Sequence, residues 1–202
     1  MLRAGDAVNF SIGQGDTLVS PLQLVSMYSA IANGGTLYKP QVARAIVTPQ
    51  GKVVKEFKPE INGKIPATSS DLAFLHRALR AVATRGTGAG LFANFPVSVS
   101  GKTGTGQVLG RNTNGSAKDD TSWFVSYAPS EKPQYAVVMM VSQGGFGATA
   151  SGGGVKEIYS ALFGVSGNKV DPAAAIFPAS GPPSGIPKID TKGSVAKKAV
   201  TK

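Results

Sequence analysis

The sequence predicts an α+β fold, an antiparallel sheet flanked by helices, and three observations carry that expectation. Two amphipathic patterns, within Ser20–Gly35 and Ser69–Arg85, repeat apolar residues at helical spacing. Three consecutive β-rich runs, Val97–Val108, Thr121–Ala128 and Gln134–Ser142, are joined by polar connections, as in a meander. A last helical pattern, "GVKEIYSALFG", then returns across one face of the sheet.

The first helix begins with "SPLQ". Ser20 suits the N-cap, Pro21 the first helical position, and Gln23 completes a capping box. Leu24, Tyr28 and Ile31 form its apolar stripe, and Asn33-Gly34-Gly35 stops it. Two β-rich runs in "LYKPQVARAIVTPQGKVVKEF" flank Pro49-Gln50-Gly51 and read as a hairpin. The second helix aligns Leu72, Leu75, Leu79 and Val82, with Gly86 after it. Gln134–Ser142 is almost continuously apolar, the mark of a strand covered on both faces. Val155, Ile158, Tyr159 and Leu162 line the closing helix, which ends at Gly164. From Ser166 the chain is rich in Pro, Ala, Gly, Ser and Lys. We therefore expect one folded unit over residues 1–165 and a disordered tail over 166–202.

Composition excludes several functions. The 202 residues contain no cysteine, which rules out disulfide frameworks and thiolate zinc sites, and His76 is the only histidine. No metal site and no cofactor are expected. The net charge of +10 is divided between a surplus of 6 over residues 1–165 and 4 over the rest. No basic run is interleaved with aromatics, so nucleic acid is not an expected partner. No run reaches the roughly 18–20 apolar residues that cross a bilayer, and the N-terminus lacks the apolar core of a signal peptide. A protein working outside the cytoplasm would need an exporting or anchoring segment that this sequence does not contain.

The stretch "VSVSGKTGTGQV" carries the most chemical information. Gly101-Lys102-Thr103 matches the end of a phosphate-binding loop, but Pro96 stands where its first glycine belongs. "TGTGQVLG" is also poor helix material. The adjacent Asp119 and Asp120 read as solvated carboxylates or as partners of Lys118 and Arg111. If Val97–Val108 is an extended edge strand, Thr103 and Thr105 share a face with their hydroxyls about 7 Å apart along it. Such a pair can hydrogen-bond a carboxylate. Gly104 and Gly106 leave room for a peptide to pair with the edge, and Lys102 adds positive potential for an anion.

"SGKTGTGQ", followed by "SWFVSYAP" and "YAVVMMV", resembles the C-terminal part of the penicillin-binding transpeptidase domain, whose motifs include Lys-Thr-Gly. Upstream, "IGQG" with "SPLQLVSMYSAIANGG" resembles the helix preceding that strand in class B penicillin-binding proteins, and "GGGVKEIYSALFG" resembles their closing helix. The likeness runs from about Gly5 to Gly164 and is nearer the elongation type than the division type. It implies the penicillin-binding transpeptidase and serine β-lactamase-like fold, and a D,D-transpeptidase that cross-links peptidoglycan by serine acyl transfer. By resemblance, Lys102 shapes the electrostatics around the catalytic hydroxyls. Thr103 and Thr105 bind the carboxylate of a D-Ala-D-Ala stem peptide or of a β-lactam. The Thr105 N–H serves the oxyanion hole, and Gly104 keeps the substrate's path clear. Implied partners are the stem peptide, β-lactams and other cell-wall synthesis proteins, at the extracytoplasmic face of the bacterial membrane.

The family nucleophile lies in Ser-x-x-Lys, with Ser-x-Asn after it, and both precede Lys-Thr-Gly. Here Ser-x-x-Lys occurs only at Ser166–Lys169 and Ser194–Lys197, and Ser-x-Asn only at Ser166–Asn168, all after Lys102. We read these as chance matches and expect the chain to be an inactive fragment carrying one wall of an active site. Alternatives are a serine β-lactamase or β-lactam sensor, or a catalytically inactive module that binds peptides.

Overall fold

A computed structural model describes residues 3–15, 17–48 and 52–176. Two helices come first, α1 (Ala4–Ser11) and α2 (Pro21–Ala32). The capping box at the head of α2 is formed: the Gln23 N–H donates to Ser20 Oγ at 3.2 Å, and the Ser20 N–H to Gln23 Oε1 at 2.8 Å. At its far end the Asn33 amide both accepts from and donates to the Thr36 main chain, each at 2.8 Å, which turns the chain into a strand.

Four short strands follow, β1 (Thr36–Tyr38), β2 (Ala45–Val47), β3 (Val53–Glu56) and β4 (Ile61–Lys64). The expected hairpin flanking Pro49-Gln50-Gly51 is the pairing of β2 with β3, while β1 pairs separately with β4. Pro40, which has no N–H to give a ladder, separates β1 from β2. The Thr48 N–H donates to the Lys52 carbonyl at 2.8 Å and closes the base of the β2–β3 hairpin. Its expected turn, Pro49-Gln50-Gly51, lies outside the described residues. Helix α3 (Ser69–Arg85) is capped by Thr68, whose hydroxyl accepts the Asp71 N–H at 3.2 Å, while the Thr68 N–H donates to the Asp71 carboxylate at 2.9 Å. The short α4 (Ala89–Phe92) sinks Phe92 into the core.

The remaining strands form the main sheet, in order β5 (Ser100–Gly106), β6 (Thr121–Ala128) and β7 (Tyr135–Val141), antiparallel and in unbroken register. Side chains alternate along each strand, and directly opposed residues share a face. Phe124, Ser126 and Ser122 face α5 (Ala150–Phe163). Phe124 joins Val155, Tyr159, Val99 and Phe92 in one buried cluster. Ser126 bonds the Tyr159 hydroxyl at 3.0 Å, so no polar atom is left bare there. Val125 and Tyr127 face the other way and pack with Tyr28 and Ile31 of α2 and with Leu75 and Leu79 of α3. Strand β7 is therefore covered on both faces, as its apolar run predicts. Burying each large apolar side chain contributes roughly 1.5–3 kcal/mol.

After α5 the chain forms a small hairpin of β8 (Val165–Ser166) and β9 (Lys169–Val170). It then runs back along the helix, and the Ile176 N–H donates to the Ala161 carbonyl at 2.9 Å. Residues 166–176, the first eleven of the expected tail, are joined to this part of the chain by main-chain hydrogen bonds from Asp171 to Gly164 and from Ile176 to Ala161. The rest of that tail, from residue 177, lies outside the described residues. No helix among the described residues is long and apolar enough to cross a membrane.

Candidate active site

Among the described residues strand β5 has one sheet neighbour, so its other edge carries no second strand there. Near its start that edge is met by α3, where the Arg80 guanidinium donates to the Val99 carbonyl at 3.1 Å. From Lys102 to Gln107 the strand borders a groove of about 520 Å³ that Trp123, Val125, Tyr28, Leu18 and Gln14 also line. A larger hollow of about 700 Å³ lies between α3 and the start of β5, lined by His76, Arg77 and Glu131, and contains none of the Lys-Thr-Gly residues. The hydroxyl and glycine chemistry is concentrated in the first of these.

Register divides the motif between two faces. Lys102, Gly104 and Gly106 oppose Val125, Trp123 and Thr121, while Thr103 and Thr105 oppose Phe124 and Ser122. Lys102 is exposed and its ammonium donates to the Thr103 carbonyl at 2.8 Å, with the Thr103 hydroxyl at 3.5 Å. Among the described residues the ion pair is Lys39–Glu60, so the Lys102 charge is not neutralised by a carboxylate there. A side chain at Gly104 would bring its Cβ to 3.1 Å from the Trp123 Cβ, on the groove side of the strand. The absent side chain thus leaves the indole face open.

Both threonine hydroxyls already have partners. Thr103 Oγ1 shares a hydrogen bond with Thr87 Oγ1 at 2.8 Å, from the turn between α3 and α4. Thr105 Oγ1 accepts from the Gly147 N–H at 3.4 Å. Gly147 sits in the loop between β7 and α5, and any side chain there would run into the Gly104 and Trp123 carbonyl oxygens. The loop is fixed from below: Ser122 Oγ donates to the Phe146 carbonyl at 3.1 Å, and the Ser151 N–H donates to Ser122 Oγ at 3.1 Å. The end of β5 is therefore clasped by main chain that leads directly into α5.

A third contact comes from the α1–α2 loop. Gly13 and Gly15 hold φ values of +75° and +76°, a left-handed conformation that suits glycine, and they project Gln14 between them. The Gln14 side-chain amide donates to the Thr105 carbonyl at 2.9 Å across 91 residues of sequence. Gln14, Thr87 and Gly147 were not among the residues singled out by the sequence. "IGQG" marks the first, and no local pattern marks the other two.

The remaining sequence candidates do not line the groove, although Asp119 and Asp120 border a smaller hollow that also touches Thr105. Asp120 accepts the Val108 N–H at 3.3 Å, and Arg111 donates to the Gly115 carbonyl at 2.7 Å rather than pairing with a carboxylate. Ser166 and Lys169 are cross-strand partners in the β8–β9 hairpin, and Ser194–Lys197 lies outside the described residues. His76 Nδ1 lies 2.6 Å from the Tyr127 hydroxyl, on the α3 side of the sheet. The phosphate-loop reading fails structurally too, since β5 stays extended through Gly106.

A Lys-Thr-Gly strand on the free edge of an antiparallel sheet, backed by a closing helix on the opposite face, defines the penicillin-binding class of the serine acyltransferase fold. The chain belongs to the penicillin-binding protein transpeptidase domain family, whose model matches residues 4–163. It is 34% identical over 147 residues to penicillin-binding protein 2A of Bacillus subtilis, covering 68% of this chain and 20% of that protein. It is 30% identical over 159 residues to the peptidoglycan D,D-transpeptidase MrdA of Haemophilus influenzae, covering 72% of this chain and 24% of that one. Among solved structures, Pseudomonas aeruginosa PBP2 superposes with a TM-score of 0.67 at 27% identity, over 84% of this chain and 35% of the other. The chain thus spans about a quarter or less of the length of these two curated relatives, and it matches their C-terminal transpeptidase part.

Proposed function

We propose that this chain supplies the substrate-strand wall of a peptidoglycan D,D-transpeptidase of the elongation, cell-shape type, working at the extracytoplasmic face of the membrane. The observation that carries the reading is the free edge of β5, where Lys102, Thr103, Gly104 and Thr105 border an open groove. In the whole enzyme a serine hydroxyl adds to the penultimate D-Ala carbonyl and expels the terminal D-Ala as its amine. An acceptor amine then displaces the serine from the ester, forming the cross-link and restoring the hydroxyl.

This chain contributes binding and charge stabilisation to that sequence. The Thr103 and Thr105 hydroxyls exchange their present partners, Thr87 and Gly147, for the terminal carboxylate of the stem peptide. The Lys102 ammonium, which has no carboxylate partner among the described residues, supplies positive potential beside them. The Thr105 N–H points to the free edge, as its carbonyl does, and serves as an oxyanion donor; losing one such donor typically costs about 10²–10³ in rate. Gly104 leaves the groove floor open for the peptide backbone. Partner proteins of the cell-wall machinery act on the full-length protein. The nucleophile is not supplied by Ser166, which is held in the hairpin after α5.

One titration tests this. A peptide ending in free D-Ala-D-Ala should shift the β5 amide resonances of the chain. The T103V/T105V double variant should weaken binding at least about tenfold, as should amidation of the peptide's C-terminus. A fluorescent penicillin should leave the same sample unlabelled. Equal binding of the amidated peptide would remove the carboxylate role, and covalent labelling would place a nucleophile in this chain.

A further inference from the structure

The Gln14–Thr105 hydrogen bond has an unusual position. In an antiparallel strand the N–H and C=O of one residue point to the same side. The Thr105 carbonyl is bonded by Gln14 and therefore faces the free edge, away from β6. It is the acceptor that a peptide adding to the edge would meet with its own main-chain N–H. The Gln14 side-chain amide, itself a planar N–H donor 2.9 Å from that oxygen, fills the place of a peptide group.

We infer that Gln14 is a displaceable stand-in for the ligand's amide, a specificity-determining residue that sets how tightly an extended peptide pairs with β5. The inference rests on the proposed reading of β5 as the ligand-pairing strand. While the groove is empty, Gln14 keeps the half-buried Thr105 carbonyl satisfied. When a peptide pairs with the edge, one N–H···O=C bond replaces another, so this contact adds little net affinity. A ligand unable to eject Gln14 cannot lie along the strand.

The surroundings fit displacement better than a structural tie. Ile12, Gly13, Gly15 and Leu18 around Gln14 are all exposed, so no packed core depends on the loop's position. Among the described residues, this is the only hydrogen bond joining the α1–α2 loop to β5. The left-handed glycines on both sides have no Cβ to restrict rotation about the hinge they form. The loop's own anchor, the Gln14 N–H on the Asn9 carbonyl at 2.9 Å, is to main chain and does not require the side chain to stay in the groove.

The test uses isotope-labelled 202-residue chain, its Gln14→Ala and Gln14→Met variants, and an N-acetylated tripeptide ending in D-Ala-D-Ala. Methionine keeps the bulk of glutamine and removes the donor. In the free wild type, the Gln14 side-chain amide should show slowed exchange and a scalar coupling to the Thr105 carbonyl carbon. The coupling should vanish as peptide saturates the groove, and both variants should bind the peptide about 3- to 10-fold tighter. A free protein without the coupling overturns the inference. So does saturation that leaves the coupling intact, or variants that bind no tighter, and in both cases β5 remains the ligand strand. If the coupling is present but the peptide binds none of the three proteins, the ligand-strand reading falls and the inference falls with it.

Discussion

Phe124 and Trp123 are neighbours on β6, yet they belong to two differently built regions. Phe124 is 0% exposed, enclosed by α5, Phe92 and Val99. Trp123 is half-buried and lines the groove beside Gly104. The α5 side is closed, with every buried serine hydroxyl bonded. The groove side is bordered by apolar residues with nothing over them among the described residues, Leu18 at 91% and Ile12 at 72% exposure. Such an apolar border is more than a finished surface needs. The α5 face is sealed along the sheet, whereas the other face is sealed by α2 and α3 around Tyr127 and left open only beside Trp123 and Gly104.

Paired truncations should break this contrast if it is wrong. Phe124→Ala should cost about 3–5 kcal/mol of unfolding free energy, since it empties a fully enclosed site. Trp123→Ala, despite removing a larger side chain, should cost only about 1–2 kcal/mol. Urea midpoints of the two variants decide it, and equal losses would mean that both sides are equally closed.

Alkaline titration gives the next largest effect. Burial, helped by the nearby Tyr127, pushes the Tyr28 phenol from its usual 10 up to about 12. Burial also raises Tyr127 and, on the closed side, Tyr159. A raised folded-state value favours the neutral phenol. The stability it supports is complete below pH 10 and is lost as pH rises towards 12. For Tyr28 the loss is on the order of 3 kcal/mol. Tyr28→Phe should flatten that limb of the stability–pH curve, and an unchanged limb would show that Tyr28 is already hydrated.

The smallest effect concerns the α3 cap. Thr68→Ala should cost about 1 kcal/mol in a thermal melt. The Asp71 carboxyl, held below its usual range by its hydrogen bonds to Thr68, adds a contribution that is present above the ordinary carboxylate value. That contribution disappears as pH falls through the lowered one. The variant should weaken this acid dependence, since the residue-68 N–H still donates to the Asp71 carboxylate, while leaving peptide binding in the groove unchanged.

The long helices and the main sheet were the more legible parts of the sequence. Local signals, caps and periodicity, specify α2 and α3, and the residue limits of α3 and β6 coincide with the expected ones. The small elements were not foreseen. Gly5 and Asn9 weaken the helical pattern of α1, β4 is "INGK" with little apolar content, and "SGNK" reads as tail composition before it reads as a hairpin. Lys-Thr-Gly was visible because its chemistry sits in consecutive residues. Its supports were not, because Gln14, Thr87 and Gly147 reach β5 from 91, 16 and 42 residues away. Such contacts exist only once the sheet and the loops around it have formed.

Gly147 has a consequence for how variation in this chain should be read. The atoms that would meet an added carbon there are main-chain oxygens of β5 and β6, which no neighbouring substitution can remove or shorten. An alphabet of twenty collapses to one letter at a position with no side chain and no reactive group. In a deep mutational library selected only for folded, soluble chain, Gly147 should tolerate no substitution, and a reader of that map would mistake a packing constraint for a functional residue.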